Sequence, residues 1–278
     1  MKCSLLLFAS MLLLVTISSC QYDKIMTHVV EVGGAFVTHD RKVISTGFGS
    51  AFVARYKGQH FLVTNYHIMT DRFAPDTTQS EDKPLIEPNT MLVLFRDAKN
   101  SRINNPIIIK KGDTRLYYSI PADPITRQTM DIAVISLNKM PENAVDPSID
   151  FDAIDTTWKI EGNTPLLVCG FKFDSSFSLV DPISDTVYSV PGRSFDYNFP
   201  FVFAPKKIEI HGDSGSPVYA LIKGQKKLVG MVAMSMVAPL SLQPSFMAGL
   251  DPNITIHVFV GLRIIRESLQ ACYDRSYP

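Results

Sequence analysis

The chain has 278 residues, 46% hydrophobic and 19% charged, a balance that permits a substantial buried core in one domain or in two closely packed halves. Lysine plus arginine equal aspartate plus glutamate at 27 each, so no excess of either sign draws the chain to nucleic acid or to an anionic surface, and neither is expected as a partner. Past the amino terminus no run approaches the ~20 apolar residues of a spanning helix.

In chain order, the first element is a leader. Met1-Lys2 is a short positive start, Leu5 to Ile17 is an apolar core, and Ser18-Ser19-Cys20 places small residues before a cysteine, the pattern of an export signal. "ISSC" is similar to a relaxed bacterial lipobox, in which Cys20 would be lipidated and become a membrane anchor; the alternative is an ordinary secretory signal with an incidental cysteine. Residues 1–19 are read as signal and 20–28 as tether. Of the cysteines that follow, Cys169 and Cys272 are expected to be free thiols.

From Val29 onward, apolar runs of strand length recur between clusters of Gly, Pro, Asn and Asp: "HVVEVGGAFV", "GSAFVARY", "HFLVTNYHI", "MLVLFRD", "PIIIKKG", "DIAVISL", "PLLVCGF", "VYSVPG", "KKIEI", "PVYALI", "KLVGMVAMSMV" and "ITIHVFVGL". Rich in Val, Ile and Phe, they predict an all-β protein. Their number exceeds one small sandwich and suits two β-barrels of about six strands each. The first is assigned to residues 29–145 and the second to 166–278. Between them, 146–165 is acidic and proline-punctuated and reads as the inter-barrel connection. At the end of the chain, Leu262, Ile265, Leu269 and Cys272 recur at the spacing of one helix face, predicting a C-terminal helix.

Chemistry is suggested first by His211 to Val218, "HGDSGSPV", a tight turn feeding a strand. A surface loop is one reading. The other is a nucleophile turn, in which Gly212 lets the backbone approach a substrate, Ser214 attacks, and the N–H groups of Gly212 and Ser214 bind an oxyanion. A hydroxyl is a poor nucleophile unaided, so this reading requires a histidine and a carboxylate elsewhere. His28, His39, His60 and His257 have no chemical motif around them, and His211 is too close in sequence to be the base. His67 is the candidate, because a buried strand runs through Thr64-Asn65 into a turn that can present it at a cleft. For the carboxylate, Asp131 heads the apolar run "DIAVISL", and burying such a charge is costly unless something pairs with it.

"TNYHI", "DIAVISL" and "GDSGSPV", in the order His, Asp, Ser, resemble the triad segments of chymotrypsin-fold (trypsin-like) serine proteases. "GFGSAFVARYKGQHFLVTNYHI" is particularly similar to the HtrA and glutamyl-endopeptidase branches. The resemblance implies two perpendicular six-stranded barrels with the triad between them: Ser214 as nucleophile, His67 as base and then acid, Asp131 as the group that fixes its tautomer, and Gly212 and Ser214 as the oxyanion hole. No cofactor is expected, and no His-x-x-x-His or Cys-x-x-Cys spacing supports a metal hydrolase. After the second barrel the chain leaves no room for the peptide-binding PDZ domain that HtrA-type proteins append. Ser216 stands where glycine is usual, similar to the glutamyl-endopeptidase pattern. The family's placing of the pocket floor about six residues before the nucleophile points to Ile208, with Met234 on the opposite wall and His211 beside the site, so cleavage after medium-sized hydrophobic residues is expected; cleavage after Glu is the rival. The expected function is a serine endopeptidase of the cell envelope acting on protein or peptide substrates. The alternative is a protease-fold module that has lost turnover and keeps its cleft for peptide binding.

Overall fold

The computed structural model describes residues 29–37, 43–69, 89–99, 101–110, 112–119, 131–155, 164–173, 179–189, 201–203, 214–223, 225–237 and 255–278. The leader, the tether and Cys20 lie outside the described residues.

The first sheet is built from β1 (Val29–Val37), β2 (Val43–Tyr56), β3 (Gln59–Thr64), β4 (Thr90–Arg96), β5 (Arg102–Ile108), β6 (Leu116–Ser119), β7 (Ile132–Leu137) and β8 (Ile149–Asp150). Its order is β5-β4-β1-β2-β3-β7-β6, with β8 pairing β2. The hairpin between β2 and β3 turns on Lys57 and Gly58, both at positive φ (49° and 74°), the twist that a two-residue connection between antiparallel strands requires. A single helical turn, α1 (Tyr66–Met69), follows β3 directly.

The second half consists of β9 (Pro165–Phe173), β10 (Leu179–Ser189), β11 (Phe201–Phe203), β12 (Pro217–Ile222), β13 (Gln225–Val237) and β14 (Thr255–Gly261). These six close into a ring in the order β10-β11-β14-β13-β12-β9. The chain then enters α2 (Leu262–Ser276), whose inward face includes Leu262, Ile265, Leu269 and Cys272, all buried at the predicted helical spacing.

The first half departs from the expected ring of six. Eight strands take part, and the sheet's two ends, β5 and β6, are consecutive in the chain. What separates them is a tight turn in which Asp113 N–H donates to the Lys110 carbonyl (2.9 Å) and Leu116 N–H to the Asp113 carbonyl (3.2 Å). Arg115 braces it by donating to the Asp113 carboxylate and to the Ile108 carbonyl. The run "PIIIKKG" thus supplies the end of β5 alone, and β6 forms beyond it. Strands β6, β8 and β11 were not anticipated, β8 lies within the interval read as a plain connection, and "KKIEI" falls outside the described residues.

Three apolar clusters follow from these pairings. Ala51, Val53, Leu62, Met91, Val93 and Ile135 fill the interior of the first sheet, and Leu166, Val168, Val218, Val232 and Phe259 fill the ring. The third joins the two halves: Phe52, Phe61 and Val134 meet Leu167, Cys169, Tyr219 and Met231, together with Ile265 and Leu269 of α2. Strands β2, β3 and β7 are therefore covered on both faces, which explains why they read as nearly continuous apolar runs rather than alternating ones. Cys169 and Cys272 are free and buried, as expected.

Candidate active site

Strands β3 and β7 pair antiparallel with Thr64 opposite Ala133. His67 lies just past the end of β3 and Asp131 just before the start of β7, so both side chains rise from the same end of one ladder. Asp131 is 4% exposed. At that depth an unpartnered carboxylate would be strongly destabilising, and His67 satisfies it twice. The His67 backbone N–H donates to Oδ1 at 3.0 Å, and its ring Nδ1 lies 2.5 Å from Oδ2. An ionised carboxylate can only accept, so the proton of the neutral imidazole sits on Nδ1 and the lone pair on Nε2. That is the tautomer a general base needs.

Ser214 is positioned from the other side. Gly215 adopts φ +84°, a region that L side chains rarely enter, and a Cβ there would collide with the Ser50 carbonyl and stand 2.8 Å from Thr64 Oγ1. The turn is held by the Gly215 N–H on the Val232 carbonyl and by the Val232 N–H on the Ser216 carbonyl, each 2.9 Å. Across the interface, Ser50 N–H donates to the Ser214 carbonyl at 2.8 Å, while the Ser50 carbonyl accepts from Thr64 Oγ1 at 2.9 Å. One residue of β2 thus ties the segment carrying Ser214 to the strand that delivers His67. Gly49 has the same double proximity: a Cβ there would strike Ile68, the neighbour of His67, and come within 2.8 Å of the Ser214 carbonyl.

Of the residues singled out by sequence, His67 and Asp131 are brought into direct contact, and Ser214 is placed in the adjoining turn. Gly212, His211 and Ile208 lie outside the described residues. Met234 has a backbone position in β13 opposite Val258, and its side chain is not among those described. Ser50, Thr64 and Asn65 were not singled out as site residues. The signal for the last two was a pair of polar residues closing the apolar run "HFLV"; Ser50 carried none. Among the described residues, no group of three His, Cys, Asp or Glu converges as metal ligands.

No protein-family model matches the chain, and no curated protein matches it in sequence. Solved structures do. The crystal structure of a scabies mite inactivated protease paralogue, S-D1, superposes with a TM-score of 0.50 at 15% identity, covering 88% of this chain and 91% of that one. At that identity the likeness speaks to architecture alone: the chain has a chymotrypsin-like fold.

Proposed function

We propose that the protein is a serine endopeptidase whose triad is Ser214, His67 and Asp131, and that in sequence it stands nearest the HtrA and glutamyl-endopeptidase branches. The observation that carries this reading is the two-point capture of the buried Asp131 carboxylate by His67, beside a turn at Gly215, in a conformation only glycine readily adopts, that presents a serine. Neither a surface loop nor a core histidine needs that arrangement.

In the first half-reaction Ser214 Oγ attacks the scissile carbonyl carbon while its proton passes to His67 Nε2. The imidazolium so formed is stabilised by Asp131 at Nδ1. The backbone N–H groups of Gly212 and Ser214 receive the negative charge that develops on the carbonyl oxygen. His67 then gives its proton to the leaving amine, the C–N bond breaks, and an acyl-enzyme on Ser214 remains. Water, deprotonated by the same nitrogen, releases the acid and restores the serine. The pocket assigned to Ile208, Met234 and His211 would receive the side chain before the cut, and an apolar floor at Ile208 disfavours Arg and Lys. Lipidation at Cys20 would hold the domain at the cell envelope.

Covalent labelling by a fluorophosphonate probe tests this. Wild-type protein should label, and Ser214→Ala should not while remaining folded; an inert wild type, or a labelled alanine variant, overturns the proposal. The second reading, a peptide-binding module without turnover, draws on the neighbour's description as an inactivated paralogue. It would be supported by equal peptide affinity in an inert wild type and in Ser214→Ala.

A further inference from the structure

Asn65 sits between the clamp at Thr64 and the base at His67, fully buried. Its Nδ2 donates to the main-chain carbonyl of Asp131 at 2.7 Å. The assignment of nitrogen and oxygen follows from the partner: a carbonyl cannot donate, so a flipped amide would set two acceptors against each other. The other half of the amide, Oδ1, is buried with no hydrogen-bond partner among the described residues. Leaving a buried acceptor unpaired costs stability, and an apolar side chain of the same size would avoid that cost. The site therefore retains an amide for what its nitrogen holds.

What it holds is the ladder's missing rung. The last β3–β7 pair is Thr64 with Ala133; beyond it the chain turns into α1, and the backbone no longer runs alongside β7. The side chain of Asn65 reaches Asp131 there instead. Among the described residues, both hydrogen bonds to the Asp131 carboxylate come from His67 itself. Those two bonds fix the imidazole relative to the carboxylate, and neither acts on the Asp131 main-chain carbonyl. The Asn65 amide anchors the backbone that carries the carboxylate.

We infer that Asn65 is a positioning residue of the site, fixing the backbone of Asp131 so that the Asp131–His67 pair keeps one orientation toward Ser214. This rests on the proposed hydrolase reading for its kinetic consequence but not for its structural one. Asn65→Leu is the informative variant, because it keeps the volume and removes the donor together with the unpaired oxygen. Asn65→Ala is the companion, for the case in which leucine does not pack. Because Asn65→Leu removes the unpaired amide oxygen but leaves the Asp131 carbonyl without its donor, the expected result is a melting temperature close to that of wild type. Its maximal fluorophosphonate labelling rate should fall about 10- to 100-fold, with little change in the probe concentration giving half-maximal rate. In proton NMR the far-downfield His67 Nδ1–H signal should exchange with water at least tenfold faster than in wild type.

A folded Asn65→Leu or Asn65→Ala protein with wild-type labelling and an unchanged His67 signal overturns the inference, as does a labelling loss that merely follows the fraction unfolded. If wild type itself fails to label, the hydrolase reading fails. The anchoring role is then decided by the Nδ1–H signal alone: faster exchange in the variants upholds it, and no change refutes it.

Discussion

Asp131 and Asn65 lie against each other, yet only one of them is legible in the sequence. An aspartate heading an apolar run is conspicuous because burial of a charge demands a partner, and that partner is His67. An asparagine before a turn is ordinary turn chemistry, and its contact is to a carbonyl distant in sequence, which no local pattern encodes. Ser50 is less legible still, since its backbone rather than its side chain bridges Ser214 and Thr64. Asp131→Asn should lower the labelling rate on the order of 10⁴-fold with the fold intact, because an amide at this position favours the wrong imidazole tautomer; a rate within tenfold of wild type would assign the orienting role to another group. The two thiols make a separate prediction. Burial pushes Cys169 up to about 12 and Cys272 up to about 11, so both stay protonated at pH 8 and the nucleophilic thiolate is scarce. Peptide mapping after iodoacetamide should find both unmodified in the folded protein and both alkylated after denaturation.

Strands were readable where both faces are buried, as in β2, β3 and β7, since continuous Val, Ile and Phe leave few alternatives. The short β6 and β8 were not, because each is defined by a neighbour's ladder rather than by its own composition. The β5–β6 turn has a measurable signature. Hydrogen bonds from the Arg115 side chain hold the Asp113 carboxyl below its ordinary 3.8. A depressed carboxylate contributes stability above the unfolded value that is lost as pH falls through the folded one. The melting-temperature gap between wild type and Asp113→Asn should therefore be constant above about pH 5 and close as pH drops below 3.8; a gap that persists in acid would assign it to packing instead. At the turn that carries Ser214, Gly215→Ala meets both a positive φ and the Ser50 carbonyl. It should cost upward of about 3 kcal/mol, seen as a lowered denaturant midpoint with labelling lost in the remaining folded fraction.

At the scale of the whole molecule, the division into two β halves was legible from the count of apolar runs, whereas their mutual packing was not, because the cluster that joins them draws residues from both halves and from α2. The helix follows the second half in sequence and fastens to the first. Cys272 Sγ lies 3.2 Å from the Arg115 carbonyl, Tyr277 Oη 2.9 Å from Ser136 Oγ, Arg266 donates to the Phe151 carbonyl at 2.8 Å, and Tyr56 Oη donates to Gln270 at 2.7 Å. Leu269→Ala should accordingly cost about 2–5 kcal/mol, and its effect on amide hydrogen exchange should be as large in β6 and β7 as in β14; protection lost in β14 alone would mean that the halves unfold independently. This arrangement also orders events in time. A chain emerging from a ribosome presents its first half long before the residues that cover it. The outer face of β7 stays uncapped until the last turn of helix arrives, and the turn carrying Ser214 cannot dock on Ser50 until most of the chain has passed. On the proposed reading, a partly delivered molecule therefore lacks an assembled triad, and arrival of the segment that carries Ser214 sets the earliest moment at which that serine could react.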